Sequence, residues 1–109
     1  MKKVNCAIIL ARINSKRIKK KNIKNFCGKP IIYWTIQNII NSRRFDKIIV
    51  STDDKTVARI SRKFGITVPF LRPKKLSTDK AGTKEVMSHA INYLEKNYSN
   101  LGYICCFYA

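Results

Sequence analysis

Apolar and polar positions fall in blocks whose period changes along the chain. Val4 to Leu10 is a nearly continuous apolar run, interrupted only by Asn5. Such a run suits a strand covered on both faces, as in a parallel sheet. Lys29-Pro30 then predicts the opening of a helix, with proline in the first turn where its missing N–H costs little. Ile32, Ile36, Ile39 and Ile40 recur at i, i+4, i+7 and i+8 and form one apolar stripe. Trp34 lies off that stripe and is expected to fill the core elsewhere. Lys47 to Ser51 reads as a second buried strand, and Thr52-Asp53-Asp54 supplies capping chemistry for the helix after it. Val57, Ile60 and Phe64 give that helix its apolar side, and Gly65 is placed to end it. Ile66 to Leu71 is a third candidate strand, which Pro69 confines to an edge or a short irregular piece. Lys74 to Gly82 is polar loop. Thr83 to Asn97 predicts a helix with Val86, Ala90, Tyr93 and Leu94 facing inward, and Leu101 to Tyr108 predicts a last strand.

The order β-α-β-α-β-α-β implies right-handed crossovers. The expected class is α/β: a Rossmann-like parallel sheet with helices on both faces. A length of 109 residues suits one domain. The chain ends directly after what reads as a central strand, where a covering helix normally follows. The expectation is therefore an amino-terminal part, residues 1–109, of one longer domain. An apolar fraction of 45% is ordinary for a folded chain. Cys6, Cys27, Cys105 and Cys106 lack the spacing of a zinc site and are expected as reduced thiols of a cytoplasmic protein. The basic amino terminus leads into a strand rather than a secretory signal, and no segment approaches the length of a membrane span.

Charge changes the picture at one place. The net charge is +17, which fits either a polyanion partner or unselected surface lysine. Outside the first connection the second reading is preferred. Residues 11–29, between the first strand and the first helix, far exceed the roughly two to six residues usual for such a turn. This stretch holds eight Lys or Arg residues and no Asp or Glu. A cationic loop at the carboxyl end of a parallel strand is where open α/β sheets take anionic ligands. Arg12 can grip phosphate oxygens in a bidentate fork. Lys16, Arg17 and Lys21 add point charges, and Asn14, Ser15 and Asn22 offer short polar groups suited to turns. No Walker A pattern is present. Read without a ligand, the same stretch is a solvated basic loop. Asp53 and Asp54 are expected to cap a helix rather than hold a metal, and His89 to be an ordinary helical residue. Basic and aromatic residues do not interleave as a base-stacking surface requires; a basic stripe on a helix face would favour DNA instead.

The run Ile8-Ile9-Leu10-Ala11-Arg12-x-Asn14-Ser15-Lys16, then Lys21-Asn22-Ile23-Lys24 and Cys27-Gly28-Lys29-Pro30, resembles the acylneuraminate cytidylyltransferases. Phe45 to Asp54, Val68 to Pro73 with Leu76-Ser77, and the ending Cys105 to Ala109 extend the likeness. That ending is most similar to the branch that activates pseudaminic acid. The family often has proline and two glycines where Leu10, Ile13 and Asn14 stand, and a proline where Lys19 stands. The resemblance implies the nucleotide-diphospho-sugar transferase type of sheet. It also implies transfer of CMP from CTP to a nine-carbon acidic sugar, with release of pyrophosphate. It implies that Arg12, Lys16 and Lys21 hold the triphosphate, with Arg12 and Lys21 catalytic. Leu10, Ala11, Asn14, Ser15, Asn22 and Thr83 would contact the nucleotide, and Tyr108 the sugar. Magnesium is expected in the complete enzyme on carboxylates that lie beyond this chain, as is a homodimer. The other readings are an inactive truncated remnant and a small basic nucleic-acid-binding protein.

Overall fold

A computed structural model describes residues 3–11, 25–26, 28–71 and 83–108. Its elements are β1 (Val4–Leu10), β2 (Asn25–Phe26), β3 (Lys29–Pro30), α1 (Ile31–Ser42), β4 (Lys47–Ser51), α2 (Lys55–Lys63), α3 (Thr83–Asn97) and β5 (Leu101–Tyr108). β4, β1 and β5 form a parallel sheet in that order, as alternating strands and helices require. β1 is central, and Cys6 to Leu10 are buried on both faces.

Two apolar layers sandwich the sheet. On one face, Ala7, Ile9 and Val50 meet Ile32, Ile36 and Ile39 of α1, Val57 and Ala58 of α2, and the segment Ile66–Val68. On the other, Cys6, Ile8, Leu10 and Ile49 meet Val86, Ala90 and Leu94 of α3. The handedness rule accounts for this division. Moving from β1 to β4 and onward sets α1 and α2 on one side, and the return to β5 sets α3 on the other.

Several expectations need correcting. Of the two forms that Pro69 leaves to residues 66–71, a short irregular piece is found and not a strand. Residues 66–71 pair with β4 and the residue after it through two isolated parallel bridges, Ile49–Thr67 and Thr52–Leu71. Ile66 and Val68 pack on the α1 side, whereas Phe70 packs on the α3 side against His89 and Tyr93. A regular strand would send all of them one way, so the path must turn at Pro69. Trp34 is no core filler: it is 37% exposed and stacks edge-on against Tyr33. Ile40 is 40% exposed, at the margin of the stripe expected to bury it. Pro30 is the N-cap of α1 rather than a first-turn residue, and it pairs with Asn25 in a short antiparallel hairpin.

The helix ends are settled locally. α2 ends in a Schellman motif: Gly65 N–H donates to Arg62 O and Ile66 N–H to Ser61 O, with Gly65 at φ 85°. α1 ends on Arg43 in the same left-handed region, at φ 56°, without the freedom of glycine.

Candidate nucleotide site at the carboxyl edge of the sheet

The carboxyl ends of the parallel strands lie in one row. Leu10 is in register with Ser51 on one side and Tyr108 on the other. Ala11 extends the row by donating its N–H to Ser51 O at 2.9 Å, and Thr52 bridges to Leu71. Leu10, Ala11, Ser51 and Thr52 are buried, whereas Tyr108 is 66% exposed. The structure therefore brings three of the expected site residues together: Leu10, Ala11 and Tyr108. Thr83 is the first residue of α3. Because α3 runs antiparallel to the strands it connects, Thr83 stands at the same edge. Arg12, Asn14, Ser15, Lys16, Lys21 and Asn22 lie outside the described residues, as do Arg17 and Cys27.

The electrostatics at this edge are uneven. α2 begins here with its positive end neutralised: Asp54 Oδ2 accepts from the backbone N–H groups of Thr56 and Val57 at 2.8 and 3.0 Å. Thr52 Oγ1 in turn accepts from Asp54 N–H at 3.3 Å. The reading of Asp54 as a cap is met. α1 begins at the same edge with Pro30, whose side chain offers no acceptor, and with no acidic residue in its first turn. Lys29 stands beside it, its Nζ 5.5 Å from the centre of the Tyr33 ring. The local field thus favours an anion at α1, close to where the chain leaves β1 and to where it returns through β2 and β3.

Two features were missed from sequence. The β2–β3 hairpin, with Gly28 at φ 84°, has strands of two residues each, too short for a periodic signal. The fully buried hydroxyl residues Ser51 and Thr52 gave a signal only through their place at the end of an apolar run.

Burial pushes the Cys6 thiol up, reinforced by Asp46 and opposed by Lys47, and burial also raises Cys106. Cys6, Cys105 and Cys106 are free. His89 packs edge-on against Phe70, their ring centres 4.6 Å apart. Among the described residues, no cluster of three or more His, Cys, Asp or Glu side chains could hold a metal ion. No helix among these residues is long and apolar enough to cross a membrane.

Comparison with known proteins gives the family and the fold. Residues 6–108 match the cytidylyltransferase family. The chain is 42% identical over 105 residues to a pseudaminic acid cytidylyltransferase of Campylobacter jejuni, covering 96% of this chain and 45% of that protein. It is 38% identical over 86 residues to an N-acylneuraminate cytidylyltransferase of Escherichia coli, covering 79% of this chain and 20% of that protein. Among solved structures, CMP:2-keto-3-deoxy-manno-octonic acid synthetase complexed with CTP superposes with a TM-score of 0.71 at 22% identity. That superposition covers 84% of this chain and 36% of the synthetase, and it shows the same fold. The chain spans less than half the length of these proteins.

Proposed function

The chain belongs to the cytidylyltransferase family, and on that premise we propose that residues 1–109 form the nucleotide-binding part of one domain that transfers CMP from CTP to a nine-carbon acidic sugar. Pseudaminic acid is the preferred sugar, because the Campylobacter jejuni relative named for it aligns over almost the whole chain. The carrying observation is the exit of the chain from the buried end of β1 at Ala11, at the carboxyl edge and beside the start of α1, where Pro30 supplies no side-chain cap and the first turn no acidic residue. In sequence, Ala11 is followed directly by the lysine- and arginine-rich stretch that holds Arg12, Lys16 and Lys21.

In this reading a sugar hydroxyl attacks the α-phosphorus of CTP, the bond to the bridging oxygen breaks, and pyrophosphate departs with the electron pair. Arg12 and Lys21 hold the phosphates and stabilise the charge that builds on the leaving oxygen. Lys16, Ser15, Asn14 and Asn22 orient the nucleotide, with Leu10, Ala11 and Thr83 forming the wall behind it, and Tyr108 faces the sugar. Any magnesium the reaction uses would sit on carboxylates outside these residues. A homodimer and a cytoplasmic location belong to the same proposal; the free thiols support the latter.

The test is CTP binding by this chain, followed by calorimetry or amide shifts and compared with GTP. CTP preference is expected, with Lys21→Ala weakening binding at least tenfold at an unchanged unfolding midpoint. In a full-length form, Lys21→Ala is expected to lower turnover by about 100-fold or more. Equal losses of binding and stability would refute the role. One observation favours a polyanion instead: α2 exposes Lys55, Arg59 and Lys63 along one face. Tight, steeply salt-dependent binding of duplex DNA, lost on reversing these charges, would support that reading.

A further inference from the structure

The chain carries a net charge of +17, yet α1 contains no charged residue. Its flank toward β5 presents Thr35, Asn38 and Ser42. These form one rim of a groove of about 400 Å³ whose floor is Ile39, Phe45 and Phe107, with Arg44 at one end. Phe45 holds the floor together by edge-on contacts with Phe107 and Tyr103, at 5.7 and 5.9 Å between ring centres. Tyr103 is 50% exposed, and its hydroxyl donates to Arg44 O at 2.9 Å.

The groove lies over β5 on the face that α1 and α2 occupy. Among the described residues β5 pairs with β1 alone. The crossovers explain why the groove is uncovered. Connections running from β1 toward β4 place helices on the α1 face, and the connection returning to β5 places α3 on the opposite face. A helix over β5 on the α1 face must therefore come from a connection that starts on a strand lying beyond β5 and runs back toward β1. None of the helices described here does so.

We propose that this groove seats an amphipathic helix supplied by the further half of a cytidylyltransferase domain. The proposal rests on family membership and not on the nucleotide reading. The length of the relatives supports this occupant: the matched region is 45% of the Campylobacter jejuni protein, so more than half of that protein is left to supply it. The lining supports it too. An apolar floor between neutral polar rims accepts a helix face of aliphatic side chains, with one acidic residue placed to meet Arg44. A nucleic acid would be drawn to the cationic surface elsewhere.

The test mixes this chain with the part of the Campylobacter jejuni relative outside the matched 105 residues, made as a separate polypeptide. Light scattering after gel filtration is expected to show a one-to-one complex. Thr35→Lys and Asn38→Lys, at rim positions that pack no core, are expected to weaken it at least tenfold with circular dichroism unchanged. Lys63→Glu on α2 is expected to leave it intact. The proposal is overturned if no complex forms, or if the rim substitutions do not weaken it. It is also overturned if the chain alone forms a dimer that Asn38→Lys disperses, which would make a second copy the occupant. Failure here leaves Lys21-dependent CTP binding untouched, so the two readings fall separately.

Discussion

Replacing Gly102 by alanine tests how the amino end of the sheet is fastened. Between β1 and β5 the register slips by one residue: Val4 faces Leu101, but Cys6 faces Ile104. The extra residue makes a bulge. Asn5 fills it, with Oδ1 accepting from Tyr103 N–H at 3.1 Å. Asn5 is itself held, because its N–H donates to Asp46 Oδ2 and its carbonyl accepts from Asp46 N–H, both at 2.8 Å. A Cβ at position 102 would collide with Asn5 Oδ1 and press on Lys3 Cβ and Asn5 Cγ. Forcing in a methyl group costs about 1–3 kcal/mol, and displacing Asn5 forfeits a hydrogen bond of about 1 kcal/mol. Alanine recovers roughly 0.5 kcal/mol through the reduced freedom of the unfolded chain. The net expectation is a loss of about 2–3 kcal/mol, or a Tm lower by about 10 °C or more for a domain of this size. Asn5→Ala alone should cost about 1 kcal/mol. The double variant should also cost only about 1 kcal/mol, because the obstacle is gone. Urea titration followed by Trp34 fluorescence and by circular dichroism measures all three. A neutral Gly102→Ala, or a double variant as damaged as the sum of the singles, would refute the reasoning.

Three further outcomes follow from other local features. Asp54→Ala removes both bonds to the first turn of α2 and should cost about 1–2 kcal/mol in the same titration, with Asp54→Asn largely restoring it. Arg43→Gly relieves a left-handed residue at the end of α1 and should stabilise by about 1 kcal/mol, read as a Tm rise of a few degrees. Cys6 and Cys106 have thiols raised by burial, so the unfolded chain releases their protons at lower pH than the folded one. Stability should therefore fall as pH climbs above the ordinary thiol range, and Cys6→Ala/Cys106→Ala should flatten that slope in urea midpoints taken from pH 7.5 to 9.5.

Most of the fold was legible because burial writes itself into periodicity. Ile32, Ile36 and Ile39 mark the inner side of α1, and Val86, Ala90 and Leu94 that of α3, with the spacing of a helix. Asp54 and Gly65 mark the two ends of α2 by chemistry that acts within a few residues. What was not legible depends on neighbours distant in sequence. Asn5 looked like an interruption of an apolar strand, yet its partners are Asp46 and Tyr103. Trp34, off the apolar stripe, was expected to fill the core elsewhere, but it is partly exposed on α1 beside Tyr33. Ile66 to Leu71 had strand composition, and Pro69 turned Phe70 to the other face. At the candidate site the position of Leu10, Ala11 and Tyr108 could be read from strand ends alone, since parallel strands bring their carboxyl ends together whatever their side chains. The difference between the two helix starts could not. It required seeing that Asp54 closes α2, whereas Pro30 leaves α1 open.

That difference bears on how a small cationic chain selects a place for an anion. Net charge attracts phosphate everywhere on the surface, and surface lysines are screened over about 10 Å at ordinary ionic strength. Selection needs a fixed field at short range. Three helices start at that edge; Asp54 caps α2, Glu85 stands in the first turn of α3, and α1 has no acidic residue in its first turn. The start of α1 lies where the chain leaves β1 and re-enters through the hairpin, so the proposed phosphate contacts would add side-chain cations to a dipole that the fold itself holds still. An acidic residue introduced in the first turn of α1 would oppose that dipole and leave the identity of Arg12 and Lys21 unchanged. If CTP binding survived such a change undiminished, the cations alone would be the site, and the helix start a bystander.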